Sequence, residues 1–437
     1  MQPCGPARPS RVVAYHWESA EPKRQTRKTL LRKSLPAAIF IALTVLRGAP
    51  ALAQTIDGGP DLSTVRVRMG PLMMNPTLSI TNIGIDRNVF NDPPDKNPKQ
   101  DFTVTVTPVS DFWLHLGPTW LTATMNESIN WYQKYSSERT ASSGYRVGWS
   151  ALGSRMSFKV DGSYLNAHDR PGFEIDTRAG RTEIDFKGSL DFHALSKSYV
   201  GVIADRRQTR FAGEAQYLGT SLSTTLNRID TTYGLNFRHQ LTPLTSITFG
   251  ATRADARFEF SPDRDTVATS GLMTVAFQPA ALIRGGFSVG YDNFVPVDRS
   301  LPSYRGLIGN VDLTYVLLGS TRFAVTGGRS VQYSYDINQP YYIQSRIGGS
   351  VAQQIYGPFD VQIRADIADL GYRNRAGAVV TVADRTDRIR TVGAGVGFHM
   401  GRDLRLSFNV DQNNRESEVL EHRYEKFLFG TALTYGF

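Results

Sequence analysis

The feature that most constrains this chain is a period-two alternation of apolar and polar residues that begins near Asn75 and recurs to the C-terminus. Such alternation places successive side chains on opposite faces of a strand. Eighteen segments carry it: 77–90, 101–116, 120–133, 143–152, 155–167, 179–193, 198–210, 227–241, 245–258, 266–278, 282–295, 304–318, 322–335, 341–356, 359–373, 386–400, 403–414 and 423–437. Eight short connections fall between them: GPT at 117–119, GS at 153–154, ALSKS near 194–198, TPLT at 242–245, PAAL at 279–282, GST at 319–321, GPF at 357–359 and GRD at 401–403. These are turn residues. The other connections are longer and polar, such as NDPPDKNPKQ at 91–100 and NRAGAVVTVADR at 374–385. Eighteen antiparallel strands need nine loops at one end and eight turns at the other, and that is the observed alternation. No run of 18 apolar residues occurs, so there is no ordinary transmembrane helix.

The strand parity separates two faces. Met156, Phe158, Val160 and Tyr164 oppose Ser157, Lys159, Asp161 and Ser163. Ile283, Phe287, Val289 and Tyr291 oppose Arg284, Ser288 and Asp292. Val361, Ile363, Ala365 and Ile367 oppose Gln362, Arg364 and Asp366, and Leu404, Leu406, Phe408 and Val410 oppose Arg405, Ser407, Asn409 and Asp411. An apolar face turned inward would give an oversized core. An apolar face turned to lipid, with charges lining a wet lumen, gives an all-β transmembrane barrel. Closure follows because a bilayer offers no partner to an open sheet edge. The expected architecture is one antiparallel barrel of about 18 strands with both termini periplasmic. Trp120, Trp131, Tyr132, Tyr335, Tyr341 and Tyr342 lie near segment ends and are expected in the interfacial aromatic girdles.

The N-terminus reads as a secretory signal. Lys23, Arg24, Arg27, Lys28, Arg32 and Lys33 precede the apolar stretch Leu35–Leu46, and Ala51-Leu52-Ala53 follows with small residues where signal peptidase reads. The expected organisation is a Sec-type signal over 1–53, a short periplasmic lead-in over 54–75, and the barrel over 76–437. Residues 1–53 hold nine of the 49 Lys/Arg and two of the 40 Asp/Glu, so the remainder carries 40 basic against 38 acidic residues. The excess positive charge belongs to the leader, and no nucleic-acid partner is implied. The only cysteine, Cys4, also lies there.

The last strand places Phe427, Phe429, Leu433, Tyr435 and Phe437 on one face and ends on an aromatic residue. This resembles the C-terminal signal read by the outer-membrane barrel assembly machinery, an expected partner beside outer-membrane lipid. Eighteen strands is a size at which a barrel encloses an aqueous channel. The candidate pore-lining residues are Lys159, Asp161, Arg284, Asp292, Arg364, Asp366 and Arg405; opposed charges across a lumen set ion preference. The longest loop, roughly Phe211–Leu226, either constricts the lumen or stays outside it. No catalytic, cofactor or metal site is expected. The six histidines beyond the leader are scattered, without HxxxH or HExxH spacing, and Gly393, Gly395 and Gly397 sit in a strand with no helix to follow.

The opening segment reads Asn82-Ile83-Gly84-Ile85-Asp86-Arg87-Asn88-Val89-Phe90. Gly84, Asp86, Asn88, Val89 and Phe90 resemble the G-x-D-x-N-V-F opening of the putative β-barrel porin 2 family. The next two segments, DFTVTVTPVSDFWLHLG and the one ending Ser128-Ile129-Asn130-Trp131-Tyr132, also resemble that family's first hairpins. The resemblance implies an outer-membrane barrel. The expected function is an aqueous channel for hydrophilic solutes. The alternatives are a component assisting exopolysaccharide export, implied by the resemblance, and a structural barrel with a blocked lumen. The substrate and the oligomeric state stay open.

Overall fold

The computed structural model describes residues 65–436, apart from 279, 280, 379, 381 and 402. The leader and Phe437 of the C-terminal aromatic pattern lie outside the described residues. Eighteen long strands run from Leu72–Asp86 to Tyr424–Tyr435. Each pairs antiparallel with its neighbour in sequence, and the first pairs with the last through Leu78–Tyr435 to Asp86–Leu428. The sheet is therefore a closed barrel with no free edge, as the alternation and loop lengths require. A three-residue strand, Val67–Met69, folds back on Leu72–Met74 at the short-turn end.

The strands coincide with the alternating segments to within a few residues, except the first. That strand begins at Leu72 and ends at Asp86, so Asn88-Val89-Phe90 lies beyond it. The strand contains a bulge, where Asn82 adopts φ 55° and the register shifts between Ile80 and Ile83 against the last strand. Pairing resumes at Ile83 and ends at Asp86, whose Oδ1 accepts from the Asn88 amide and turns the chain.

The apolar parity set faces out. Val147, Trp149, Phe186, Val200, Leu235, Phe249, Ile363 and Phe408 are exposed on the barrel's outer side. Phe427 and Phe429 share that face and stack at 6.2 Å. The inner face is mostly Ser, Thr, Asn, Gly and charged residues. In place of one continuous core, three buried apolar clusters all lie at the end that carries the long loops.

Candidate functional site

The polar parity set forms the lumen wall, and most of its cations are paired across strands. Arg364 holds Asp411 through Nε at 2.9 Å, with both Nη2 contacts at 2.5 Å. Arg346 holds Asp366 through Nη2 at 2.7 Å. Asp360 accepts from Arg405 at 2.5 Å and lies 2.7 Å from His399 Nε2. Asp292 accepts from the Ser270 hydroxyl at 2.7 Å. Asp161 is the direct cross-strand neighbour of Lys187, with Lys159 two residues away on the same face. Arg284 sits exposed near the short-turn end of its strand. The wall thus presents fixed dipoles more than a run of one sign.

The family-like motif has a structural task at the seam between the first and last strands. A Cβ on Gly84 would lie 1.8 Å from the Phe429 carbonyl oxygen, so only glycine fits there. Asp86, 1% exposed, binds Lys426 Nζ of the last strand at 2.6 Å. Asn88 donates to the Asp92 and Glu425 carbonyls at 2.8 and 2.9 Å and accepts from the Asp92 amide. Val89 is fully buried, and Phe90 meets Tyr135 edge-on. Sequence marks these residues but cannot say that they clasp the seam, because their partners lie more than 330 positions away.

The loop end is spanned by side chains from opposite walls. The strands Thr321–Tyr333 and Tyr341–Tyr356 form a hairpin whose upper part leaves the wall. The neighbouring strand Tyr304–Leu317 pairs with it only from Gly309–Arg329 downward. Above that point the hairpin's outer face turns onto the inner face of the barrel. Ile347 is 64% exposed, yet Ile343 and Tyr341 of the same parity are 4% and 2% exposed, packed against Phe294 and Tyr304. Tyr333 follows the same turn, its hydroxyl 2.5 Å from that of Thr266. On the hairpin's other face Tyr342 packs with Ala368, Leu370, Tyr372 and Ile389, and Phe173 closes that cluster.

Three loops lock the tip of this hairpin. Arg264, 3% exposed, donates to the carbonyls of Ser334 at 2.6 Å, Pro340 at 2.7 Å and Thr225 at 2.8 Å. Glu174, 2% exposed, accepts from the Ser334 hydroxyl at 2.6 Å and from the Tyr335 amide at 3.1 Å. Arg415 donates to the Glu174 carbonyl at 2.9 Å, to Asp176 at 2.5 Å and to Asp387 at 2.6 Å. The imidazole of His422 lies 3.4 Å from the hydroxyls of both Tyr217 and Tyr335. Burial pushes the Glu174 carboxyl up to about 7, against the pull of Ser334, Arg385, the Tyr335 amide and Arg415. Burial, with Arg415 and Arg385, pushes His422 down to about 3.

The aromatic-girdle expectation changes here. Tyr335, Tyr341 and Tyr342 are not girdle residues; they are buried in the mouth because the hairpin folds inward. Tyr132 is buried, its hydroxyl 3.3 Å from Asp86, and Trp120 stacks on His115 of the lumen-facing set; of the six, Trp131 is the one exposed on the outer face. The long loop does enter the mouth: Ala215, Tyr217, Leu222 and Leu226 pack with Ile175 and Tyr335. The reach across the lumen, however, comes from the shorter loop at 170–178, which sequence reasoning passed over. Its apolar Phe173 and Ile175 flanking Glu174 were the available signal.

A closed barrel with a polar wall and loops converging on one end defines a porin-type transmembrane channel protein. Residues 60–435 match the model of the Putative beta-barrel porin 2 family, and the chain belongs to that family. No curated protein matches the sequence. Among solved structures it is similar to a BenF-like porin from Pseudomonas fluorescens Pf-5, at 11% identity and TM-score 0.47 over 84% of this chain and 98% of that one. It is also similar to OccK2 (OpdF) of Pseudomonas aeruginosa, solved in complex with glucuronate, at 8% identity and TM-score 0.44 over 83% and 97% of the two chains. OccAB3 of Acinetobacter baumannii matches at 9% identity and TM-score 0.43 over 83% and 99%.

Proposed function

We propose that this protein is an outer-membrane channel for small hydrophilic solutes whose external mouth is held in a closed arrangement. The observation that carries the reading is a wet, charge-paired lumen beneath a mouth locked by hydrogen bonds between opposite walls. A barrel built only as a scaffold has no need of charged pairs along its length. In this reading residues 1–53 direct export and are removed, the termini lie on the periplasmic side, and the C-terminal aromatic strand engages the assembly machinery. The long loops then face outward. Lys159, Asp161, Arg284, Asp292, Arg364, Asp366 and Arg405 line the path. Solutes pass when the inward-folded hairpin and the 170–178 loop separate.

The mouth network also favours one alternative, a barrel that never opens. Planar-bilayer recording on the refolded protein separates the two. The channel reading expects sparse openings in the native protein and frequent ohmic openings once Glu174 is replaced. A folded barrel that stays silent in both forms would overturn it.

A further inference from the structure

The lipid-facing side of the barrel carries a feature that passage through the lumen does not use. Along most of each strand the outward positions are apolar or small. In the strand Ser198–Phe211 they read Val200, Val202 and Ala204, then Arg206, Gln208 and Arg210. In Thr245–Phe258 they read Ile247, Phe249 and Ala251, then Arg253, Asp255 and Arg257. The strand Arg228–Thr242 between them shows Phe237, Leu235 and Tyr233, then Thr231. Register puts Ala204, Tyr233 and Arg253 in one row and Arg206, Thr231 and Asp255 in a row two residues nearer the loops. The change from apolar to charged therefore falls within two adjacent rows on the two flanking strands, while the middle strand stays uncharged with Thr231 and Ile229.

Its height is informative. A tilted strand crosses the hydrocarbon in about 9–11 residues, and Arg206 is the ninth residue of its strand. A cation on the lipid face costs about 2–4 kcal/mol at mid-bilayer and about 0–1 kcal/mol at the interface. The arginines thus stand where headgroup phosphates lie. They are available to a ligand: the side chains of Arg210, Arg253 and Arg257 are 55%, 61% and 53% exposed. Among the described residues Arg206 makes no ion pair with an acid, while Asp255, Glu259 and Asp265 hold the other three in place at 3.2–3.3 Å. Guanidinium groups on a rigid sheet, four residues and so about 13 Å apart along a strand, each suit the planar, bidentate recognition of a phosphate. No comparable outward cluster stands at the short-turn end of these three strands.

We propose that Arg206, Arg210, Arg253 and Arg257 form a docking surface for the phosphates of the outer-leaflet glycolipid, the diphosphorylated lipid A class. The acyl chains of the same molecule lie along Val200, Val202, Tyr233, Leu235, Phe237 and Phe249. The inference rests on the outer-membrane placement proposed above and not on the channel reading.

The test compares the refolded full chain with a variant carrying all four Arg→Gln substitutions, each titrated with diphosphorylated lipid A in zwitterionic detergent and read by native mass spectrometry. The native protein is expected to retain lipid A at least tenfold more tightly than the variant, and tenfold more tightly than it retains lipid A stripped of both phosphates. Four Arg→Lys substitutions should restore part of the difference. Heat-modifiable gel mobility reports that each variant is folded, and its conductance should match the native protein. Equal retention by native and variant protein would overturn the proposal. So would full competition by inorganic phosphate at equal concentration, which would mark a free-anion site. Loss of conductance with lipid binding intact would count against the channel reading alone.

Discussion

The Glu174 carboxylate accepts a 2.6 Å hydrogen bond from the hydroxyl of Ser334, which lies 160 residues further along the chain. The two belong to the connection after Met156–Asp169 and the connection after Thr321–Tyr333, eight strands apart in an eighteen-stranded ring. A contact between them crosses the mouth.

Replacing Glu174 with Ala should loosen that crossing. It removes the acceptor of both Ser334 and the Tyr335 amide and leaves Arg385 and Arg415 with one less anion. Unsatisfied buried donors cost about 1–3 kcal/mol, so the open fraction should rise roughly fivefold to a hundredfold. Single-channel open probability checks this, and unchanged gating would show that the crossing does not hold the mouth.

Acid acts on the mouth through two groups of opposite sign. In the closed arrangement Glu174 titrates near about 7, against 4.5 when solvated, so closing takes up a proton and is strengthened as pH falls between those values. His422 titrates near about 3 when closed, against 6.5 when solvated, so closing excludes a proton and is weakened as pH falls between those values. Asp176, Asp387, Arg264, Arg385 and Arg415 surround the pair. The two effects offset each other from about 6.5 to about 4.5, leaving net opening below about 4.5. Glu174→Gln should move the onset of opening up toward about 6.5, and His422→Gln should make acid close the channel. Open probability recorded against pH for the three proteins gives the answer; a native channel that closes on acidification to about 3 would refute the assignment.

In the lumen, Asp411→Asn leaves the Arg364 guanidinium without its carboxylate partner. Arg364 is partly exposed, so the pair adds about 1 kcal/mol or less to stability, and the fold should survive. The wall then gains one positive charge, and the reversal potential in a salt gradient should shift toward anion preference. Arg364→Gln should shift it the other way.

At the seam, Gly84→Val should block closure of the first strand on the last, since even a Cβ meets the Phe429 carbonyl oxygen at 1.8 Å. Refolding yield on heat-modifiable gels should fall severely. Asp86→Asn, which keeps the shape but strands the charge of Lys426, should refold at reduced yield.

Much of this protein was determined by sequence alone. Alternation in segments such as Leu404–Asp411 sets strands and their two faces, because side-chain direction in a strand depends only on parity. The absence of a free edge and the order of the strands follow from loop lengths and from the solvent on either side. The tertiary structure decided the mouth. Ile343 and Ile347 have the same parity and the same chemistry, yet one is buried against Phe294 and the other faces out. Nothing local distinguishes them. What separates them is the loss of pairing above Gly309–Arg329, and that depends on whether Phe173, Glu174 and Arg264 arrive from other parts of the ring to cover the hairpin. Pairing along a wall is a neighbour-to-neighbour property that periodicity records. Contact across a lumen joins residues whose spacing along the chain carries no period, so only the closed barrel brings it into being.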